Sequence, residues 1–146
     1  MTFGTMEQQV QSMRTELTEV GFQELRTPEQ VDAFMAAKSG SAVLMINSVC
    51  GCAAGKARPG LKLALRQGQP PDRLATVFAG QDPEATAHAR AYFSNVPPSS
   101  PSIALFKDGM LVYFMPRHNI EGRGPESIAQ DLQAAFKEHC AVSQPK

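Results

Sequence analysis

The strongest constraint on the fold is a short apolar run that leads, within a few residues, to two cysteines and then to a helical stretch. The run spans Val43 to Ile46, the cysteines are Cys50 and Cys52, and the helical stretch begins at Ala53. A continuous apolar run of this length is typical of a strand that is covered on both faces. The pattern therefore predicts a buried strand that ends near a pair of thiols and continues into a helix.

Two thiols at a strand-to-helix junction indicate redox chemistry. The N-terminus of a helix stabilises a thiolate through its free N–H groups and its dipole, and the thiolate is the nucleophile in disulfide exchange. Cys50 is the expected attacking thiol because it lies nearer the end of the strand. Lys56 and Arg58 add positive charge nearby, unless helix geometry points them away from the thiol. The spacing is CxC, so a Cys50–Cys52 disulfide is expected to be strained and easily reduced.

Composition narrows the class of protein. The 146 residues are 42% hydrophobic and 19% charged, which fits one packed domain of ordinary size. The formal net charge is zero, so nothing points to nucleic acid or to an anionic membrane surface. No apolar run approaches the ~20 residues of a membrane span, and the N-terminus lacks the apolar core of a secretory signal. We therefore expect a cytoplasmic protein, and its sequence does not specify an oligomeric state.

Helical and strand patterns alternate along the rest of the chain. Helices are predicted over 6–20, from Thr27 to Ser39, from Ala53 to Arg66 with a kink at Pro59, from an Asp82 cap to Phe93, and around Ile128, Leu132, Ala135 and Phe136. Capping boxes are predicted at Thr5 with Gln8 and at Thr27 with Gln30. The first helix is predicted to have one apolar face, formed by Met6, Val10, Met13, Leu17 and Val20. Strands are predicted over 22–25, 43–46, 74–78, 103–106 and 110–114, the last two joined by an Asp108-Gly109 hairpin turn. The segments 95–102 and 117–124 are predicted to be loops.

This order predicts an α/β fold, a mixed sheet with helices on both faces. It resembles the thioredoxin fold with one extra N-terminal helix, and the cysteines follow the second strand, as they do in that fold. We expect a single thioredoxin-like domain over 1–146, with residues 1–20 as a helical extension and 141–146 as a frayed tail.

The segment from Asn47 to Pro59, NSVCGCAAGKARP, resembles the bacilliredoxin family, thioredoxin-fold proteins of bacteria that use bacillithiol in place of glutathione. The resemblance also covers Phe78-Ala79-Gly80-Gln81-Asp82, the loop at 99–102 and the FKDG turn at 106–109. It implies a protein that removes bacillithiol from mixed disulfides on oxidised proteins, with bacillithiol as co-substrate and no other cofactor. Bacillithiol carries two malate carboxylates, and no basic residue is singled out to receive them.

The resemblance to thioredoxins implies two substrate-binding positions. Their fold places a cis-proline before the third main strand, beside the nucleophile, and Pro101 occupies that position. Its role there is to present the Ser100 backbone to an extended substrate; Pro97 and Pro98 are competing positions. The mixed disulfide on Cys50 would be resolved by Cys52, by Cys140 or by another bacillithiol. Cys140, at the end of the last helix, could do so if the tail reaches Cys50, and is otherwise a peripheral, partly exposed thiol.

Two other functions remain open at this point. The same thiols suit a general protein disulfide isomerase or reductase with a peptide substrate. A metal- or cluster-binding module is the third possibility, but no second ligand pair accompanies Cys50 and Cys52, and His88, His118 and His139 are scattered along the chain. We therefore expect no metal site, and the sequence favours thiol–disulfide exchange.

Overall fold

The computed structural model describes residues 5–140, whose strands form one five-stranded mixed sheet. The strands are β1 (Gln23–Glu24), β2 (Ser41–Asn47), β3 (Arg73–Phe78), β4 (Ser102–Lys107) and β5 (Met110–Met115). Their order across the sheet is β1-β3-β2-β4-β5. β3 is parallel to β1 and β2, and β4 is antiparallel to β2 and β5. The expected mixed sheet is confirmed, with β2 at its centre.

Helices cover both faces of the sheet. They are α1 (Met6–Thr18), α2 (Pro28–Ala36), α3 (Arg58–Leu65), α4 (Pro83–Arg90) and α5 (Pro125–His139). One buried cluster joins α1, α3 and α5 to one face, and a second joins α2 and α4 to the other. β2 is buried at every position because its alternate side chains enter the two clusters. Within residues 5–140, no helix has the length and apolar character needed to cross a membrane.

The N-terminal helix begins at the predicted capping box. Gln8 N donates to Thr5 Oγ1 at 3.1 Å, and Thr5 N donates to Gln8 Oε1 at 2.8 Å. The predicted apolar face of α1 is only partly correct, because Met6 and Val20 are exposed at 67% and 38%. Met6 is the first residue of the helix, and Val20 lies two residues past its last residue. The centre of the helix is buried, at Val10, Arg14 and Leu17.

Arg14 explains a second difference from the sequence expectation. Asp82 occupies the N-cap position of α4, but its side chain makes no capping hydrogen bond. Its carboxylate instead accepts from Arg14 Nη1 at 2.7 Å, and Arg14 also pairs with Glu24 on β1. The guanidinium lies over the ring of Phe78, 5.0 Å from its centroid. These contacts tie the N-terminal helix to the sheet and make it an integral part of the core.

The helix after the cysteines is irregular just before the proline at which a kink is predicted. A wide π-helical turn, Ala53–Ala57, precedes α3. Helical backbone runs without a break from Gly51 to Leu65, so Pro59 lies inside the helical segment, two residues after the last residue of this π-helical turn. The irregularity is therefore confined to the turn between the cysteines and Pro59.

The predicted hairpin turn and the predicted Thr27 cap are confirmed, whereas the capping box at Thr27 is incomplete. Asp108 and Gly109 both adopt positive φ, 52° and 85°, as the tight turn between β4 and β5 requires. Thr27 Oγ1 caps α2 by accepting from Gln30 N at 3.2 Å. The Gln30 side chain reaches Arg26 N instead of the Thr27 N–H that a capping box would use. The predicted frayed tail over 141–146 lies outside the described residues.

Candidate active site

Three segments meet at the end of the sheet where β2 finishes. Ser102, the first residue of β4, pairs with Ile46 near the end of β2. Met115, the last residue of β5, pairs with Ile103 on β4. The loop before β4, the loop after β5 and the segment after β2 therefore share one end of the sheet, and the cysteines lie in the last of these segments.

The segment after β2 is held by hydrogen bonds to Ser48. Ser48 Oγ accepts from Cys50 N at 3.1 Å, and Ser48 N donates to Asn47 Oδ1 at 2.8 Å. The helix starts directly after Cys50, whose carbonyl accepts from Ala53 N at 3.1 Å. Cys50 and Cys52 are free and partly exposed, and Cys52 packs against the α1–α3–α5 cluster. Cys50 is therefore the thiol at the mouth of the helix.

Opposing effects act on the pKa of Cys50, and the net result is a lowered pKa. Partial burial, the largest single effect, raises it because it disfavours the charged form. The hydrogen bond from Ser48, those from the N–H groups of Ala53 and Cys52, and the positive charge of Arg117 together outweigh burial. The thiolate is thus favoured at lower pH than in a free cysteine, as its position at a helix start predicts.

Arg117, which the sequence analysis did not single out, is the cation that faces the thiol. It follows β5, its guanidinium is 42% exposed, and it pairs with Glu121 at 3.3 Å. Arg117 Nη1 donates to the Ser100 carbonyl at 3.3 Å, which fixes it at this end of the sheet. The negative charge of Cys50 is in turn the main cause of the raised pKa of Arg117. The signal in the sequence is a basic residue two positions after the last strand, in a segment predicted to be a loop.

The loop before β4 presents the expected proline. The Ser100–Pro101 peptide bond is cis, and no bond at Pro97 or Pro98 is. Ser99 anchors the loop, because its Oγ accepts from Arg117 N at 3.2 Å and its carbonyl accepts from Ser102 Oγ at 3.0 Å. Ser100 and Pro101 therefore share the end of the sheet that carries Cys50, and their role toward a substrate stays a prediction.

The expectation that Arg58 adds open positive charge beside Cys50 is not met. Its side chain is 1% exposed and turns into the core, since it lies on the inner face of α3. Arg58 Nη1 donates to Asn47 Oδ1 at 2.8 Å and to the Ser48 carbonyl at 3.0 Å. Its charge faces Glu16 on α1, 3.2 Å away. From the core, Arg58 therefore fixes Asn47 and Ser48, the residues that lead to the cysteines.

The structure places Cys140 far from Cys50. Cys140 is 4% exposed, and it contacts the hydroxyl of Ser41 at the opposite end of β2. Burial is the main cause of its raised pKa. The length of β2, about 20 Å at ~3.3 Å per residue, separates Ser41 from the end of the strand that leads to Cys50. This placement argues against both a resolving thiol and a peripheral exposed one.

The histidines do not gather around the cysteines. His88 lies on α4 and its ring nitrogen contacts Asp32 of α2 at 2.7 Å. His118 lies in the turn after β5 and His139 contacts Glu138 at 2.9 Å. Over residues 5–140, no three side chains among His, Cys, Asp and Glu are grouped so that they could bind a metal ion. The site's chemistry, as far as the structure describes it, rests on thiols.

Solved structures agree with the fold. A thioredoxin mutant of Halobacterium salinarum matches with a TM-score of 0.57 at 16% identity, covering 83% of this chain and 92% of that one. Mitochondrial thioredoxin 3 of Saccharomyces cerevisiae, in its oxidised form, matches with a TM-score of 0.56 at 17% identity, covering 82% and 96%. The chain therefore has a thioredoxin-like fold.

Sequence relatives identify the family. A family model described as disulphide isomerase matches residues 5–140. A bacilliredoxin of Halalkalibacterium halodurans is 54% identical over 92% of this chain and 94% of its own length. A bacilliredoxin of Geobacillus kaustophilus is 55% identical over 90% of each chain. With the cysteine pair, the cis-proline loop and the thioredoxin-like sheet in place, the chain belongs to the bacilliredoxin family.

Proposed function

We propose that this protein removes bacillithiol from mixed disulfides on oxidised proteins and that Cys50 is the attacking thiol. The family and the fold support the wider class, a thiol–disulfide oxidoreductase. The observation that carries the proposal is the surroundings of Cys50. A hydroxyl, two backbone N–H groups and a guanidinium all favour its thiolate, while its partner Cys52 packs against the core. We expect the reaction to take place in the cytoplasm, where bacillithiol would be the co-substrate and no other cofactor is needed.

The proposed exchange conserves electrons. The Cys50 thiolate attacks the bacillithiol sulfur of the mixed disulfide, and the sulfur–sulfur bond to the target protein breaks. The target leaves as a thiolate and takes a proton, while Cys50 retains bacillithiol in a new disulfide. In one route the Cys52 thiolate attacks the Cys50 sulfur, a Cys50–Cys52 disulfide forms and bacillithiol leaves; two further bacillithiol thiols would then reduce this disulfide and become bacillithiol disulfide. In the other route a second bacillithiol thiolate attacks the bacillithiol sulfur on Cys50, so that bacillithiol disulfide forms and the Cys50 thiolate is released.

Two features suit this end of the sheet to the proposed substrate. Ser100 and Pro101 would line the surface on which the target chain lies. Arg117 is half-exposed and lies within Coulombic reach of the thiol, so it would receive a malate carboxylate of bacillithiol. A guanidinium is well suited to this role because its planar donors match a carboxylate.

A general disulfide isomerase is the second candidate function, and the description of the matching family model favours it. The same Cys50 thiolate would then attack protein disulfides, with a peptide in place of bacillithiol. In the first function bacillithiol stays on Cys50 and the target protein leaves, whereas in the second a protein cysteine stays on Cys50 and another protein cysteine leaves. The preferred substrate therefore distinguishes the two functions.

The test compares two substrates under one set of conditions. One is a protein that carries bacillithiol on a single cysteine, and the other is a protein with scrambled disulfides. The proposal predicts release of bacillithiol at a rate well above that of disulfide reshuffling, with no activity in the Cys50→Ser variant. Equal or faster reshuffling would favour the isomerase.

The roles of the two thiols need matched variants. Cys52→Ser should still accept bacillithiol, because the first attack uses Cys50 alone, and mass spectrometry should show the adduct on Cys50. If Cys50→Ser keeps full transfer activity while Cys52→Ser loses it, the roles are reversed.

A further inference from the structure

A buried polar network lies beneath the cysteine pair and takes no part in the exchange itself. At its centre is Arg58, which is 1% exposed although it carries a full charge. A buried charge is costly unless it is paired and hydrogen-bonded, so its position calls for a specific reason. Its contacts reach both Glu16 on the N-terminal helix and the segment that leads to Cys50.

The contacts of Arg58 differ at its two ends. Nη1 makes directed hydrogen bonds, to Asn47 Oδ1 at 2.8 Å and to the Ser48 carbonyl at 3.0 Å. Nε lies 3.2 Å from Glu16 Oε1 but makes no well-directed hydrogen bond. The hydrogen bonds of Nη1 therefore fix the positions of Asn47 and Ser48, whereas Glu16 beside Nε neutralises the charge of the guanidinium.

Ser48 connects the hydrogen bonds of Arg58 to Cys50. Asn47 Oδ1 accepts from both Arg58 and Ser48 N, and Ser48 Oγ accepts from Cys50 N at 3.1 Å. Ser48 is thus fixed at its carbonyl, its N–H and its hydroxyl. We propose that Arg58 is a positioning residue for Cys50, acting through Ser48, and that Glu16 supplies the counter-charge that permits its burial.

This role is distinct from a direct electrostatic one. The groups that face the Cys50 sulfur are Ser48, the N–H groups of Cys52 and Ala53, and Arg117 from the loop after β5. Arg58 instead binds Asn47 and the Ser48 carbonyl, and Ser48 in turn accepts a hydrogen bond from Cys50 N. The N-terminal helix thereby contributes to the active site, because its Glu16 neutralises the charge that orders the segment before Cys50. The proposed role concerns the acidity of Cys50 and not its substrate, so it can be tested without bacillithiol.

The experiment measures alkylation of Cys50 by iodoacetamide across pH, in a Cys52→Ser background. Arg58→Met keeps much of the length of the side chain but removes its donors, so we expect the pKa of Cys50 to rise. The alkylation rate at pH 6 should then fall by about tenfold, with a much smaller loss at pH 9. Ser48→Ala should have an equal or larger effect, and Arg58→Met should add little to it, because both act on one path.

The Arg58→Lys variant distinguishes the effect of the Nη1 hydrogen bonds from the effect of the positive charge. Lysine keeps the positive charge but ends one bond short of Nη1, so it should not restore the alkylation profile. Restoration by the lysine variant would instead show that charge suffices and would overturn the proposal. A wild-type Cys50 profile in Arg58→Met would also overturn it.

Two controls keep loss of folding apart from loss of positioning. Cys140 is buried in the core, so it should resist alkylation in every variant that is folded. Glu16→Gln should lower the midpoint of urea unfolding, whereas Glu19→Gln, at the C-cap of the same helix, should not, because Glu19 meets Lys62 only at 3.8 Å on the surface. Equal midpoints for the two glutamine variants would refute the role of Glu16.

Discussion

Gly60 offers a sharp test of how the active-site helix is packed. It lies on α3 where that helix meets α5, and it is buried. A Cβ built at this position would lie 2.7 Å from Ile128 Cγ2 and 3.2 Å from the carbonyl oxygen of Pro125. Ordinary contacts to a Cβ begin at about 3.4 Å, so Gly60→Ala forces α3 and α5 apart.

Two opposing effects set the size of the change. Alanine favours a helix over glycine by about 1 kcal/mol, which stabilises the variant. Overpacking a well-packed interface costs about 1–3 kcal/mol. Rotation of the Ile128 side chain can move Cγ2 but not Cβ, which would lie 3.0 Å from the new methyl group, and the Pro125 oxygen moves only with the start of α5. Because two of these three atoms cannot move without the backbone, we expect an overpacking cost of about 2–3 kcal/mol and, after the helix gain, a net loss of about 1–2 kcal/mol in the free energy of unfolding.

Gly55 is the matched control, because it lies in the π-helical turn just before α3 and a Cβ there meets nothing within 4 Å. Urea unfolding of Gly60→Ala, Gly55→Ala and the parent protein gives the comparison. The Gly60→Ala midpoint should fall, while that of Gly55→Ala should stay level or rise. A Gly60→Ala variant as stable as the parent would refute the packing account of the α3–α5 interface.

Three further predictions concern charges and the remote thiol. Arg117→Ala removes a cation that stabilises the Cys50 thiolate, so the pKa of Cys50 rises and its alkylation slows more at pH 6 than at pH 9; a parallel loss at both pH values would contradict this. Cys140→Ser should leave thiol transfer by Cys50 unchanged in a rate assay, because Cys140 lies at the other end of the sheet. Arg14→Met should lower the free energy of unfolding by about 2–4 kcal/mol in urea, because it leaves the largely buried Asp82 carboxylate without its main partner; an unchanged midpoint would show that the pair contributes little.

Several elements of the fold were predictable from local signals. Continuous apolar runs predicted β2 and β3, since a strand covered on both faces has no polar side to show. Thr5, Thr27 and the Asp108-Gly109 pair marked helix starts and a hairpin through local backbone chemistry. These signals act over a few residues, so one chain is enough to find them. The cysteine pair was equally visible, because its chemistry depends on adjacent residues.

Side-chain directions were harder to predict. Asp82 has the residue type and position of a helix cap, yet Arg14, far away in sequence, takes its carboxylate. Arg58 looked like open charge beside the thiols, but the inner face of α3 turns it into the core. In both cases a partner on another element won over the local preference, because burial makes an ion pair stronger than it is in water.

The sequence by itself determined the order of elements, the mixed α/β architecture and the thiols that carry the chemistry. Only the tertiary structure decided which cation faces Cys50, what fixes Ser48, and that Cys140 lies at the far end of β2. The physical reason is distance along the chain. Local patterns record which backbone conformation each segment adopts, whereas the field and the hydrogen bonds at a thiol come from segments that meet only when the sheet forms.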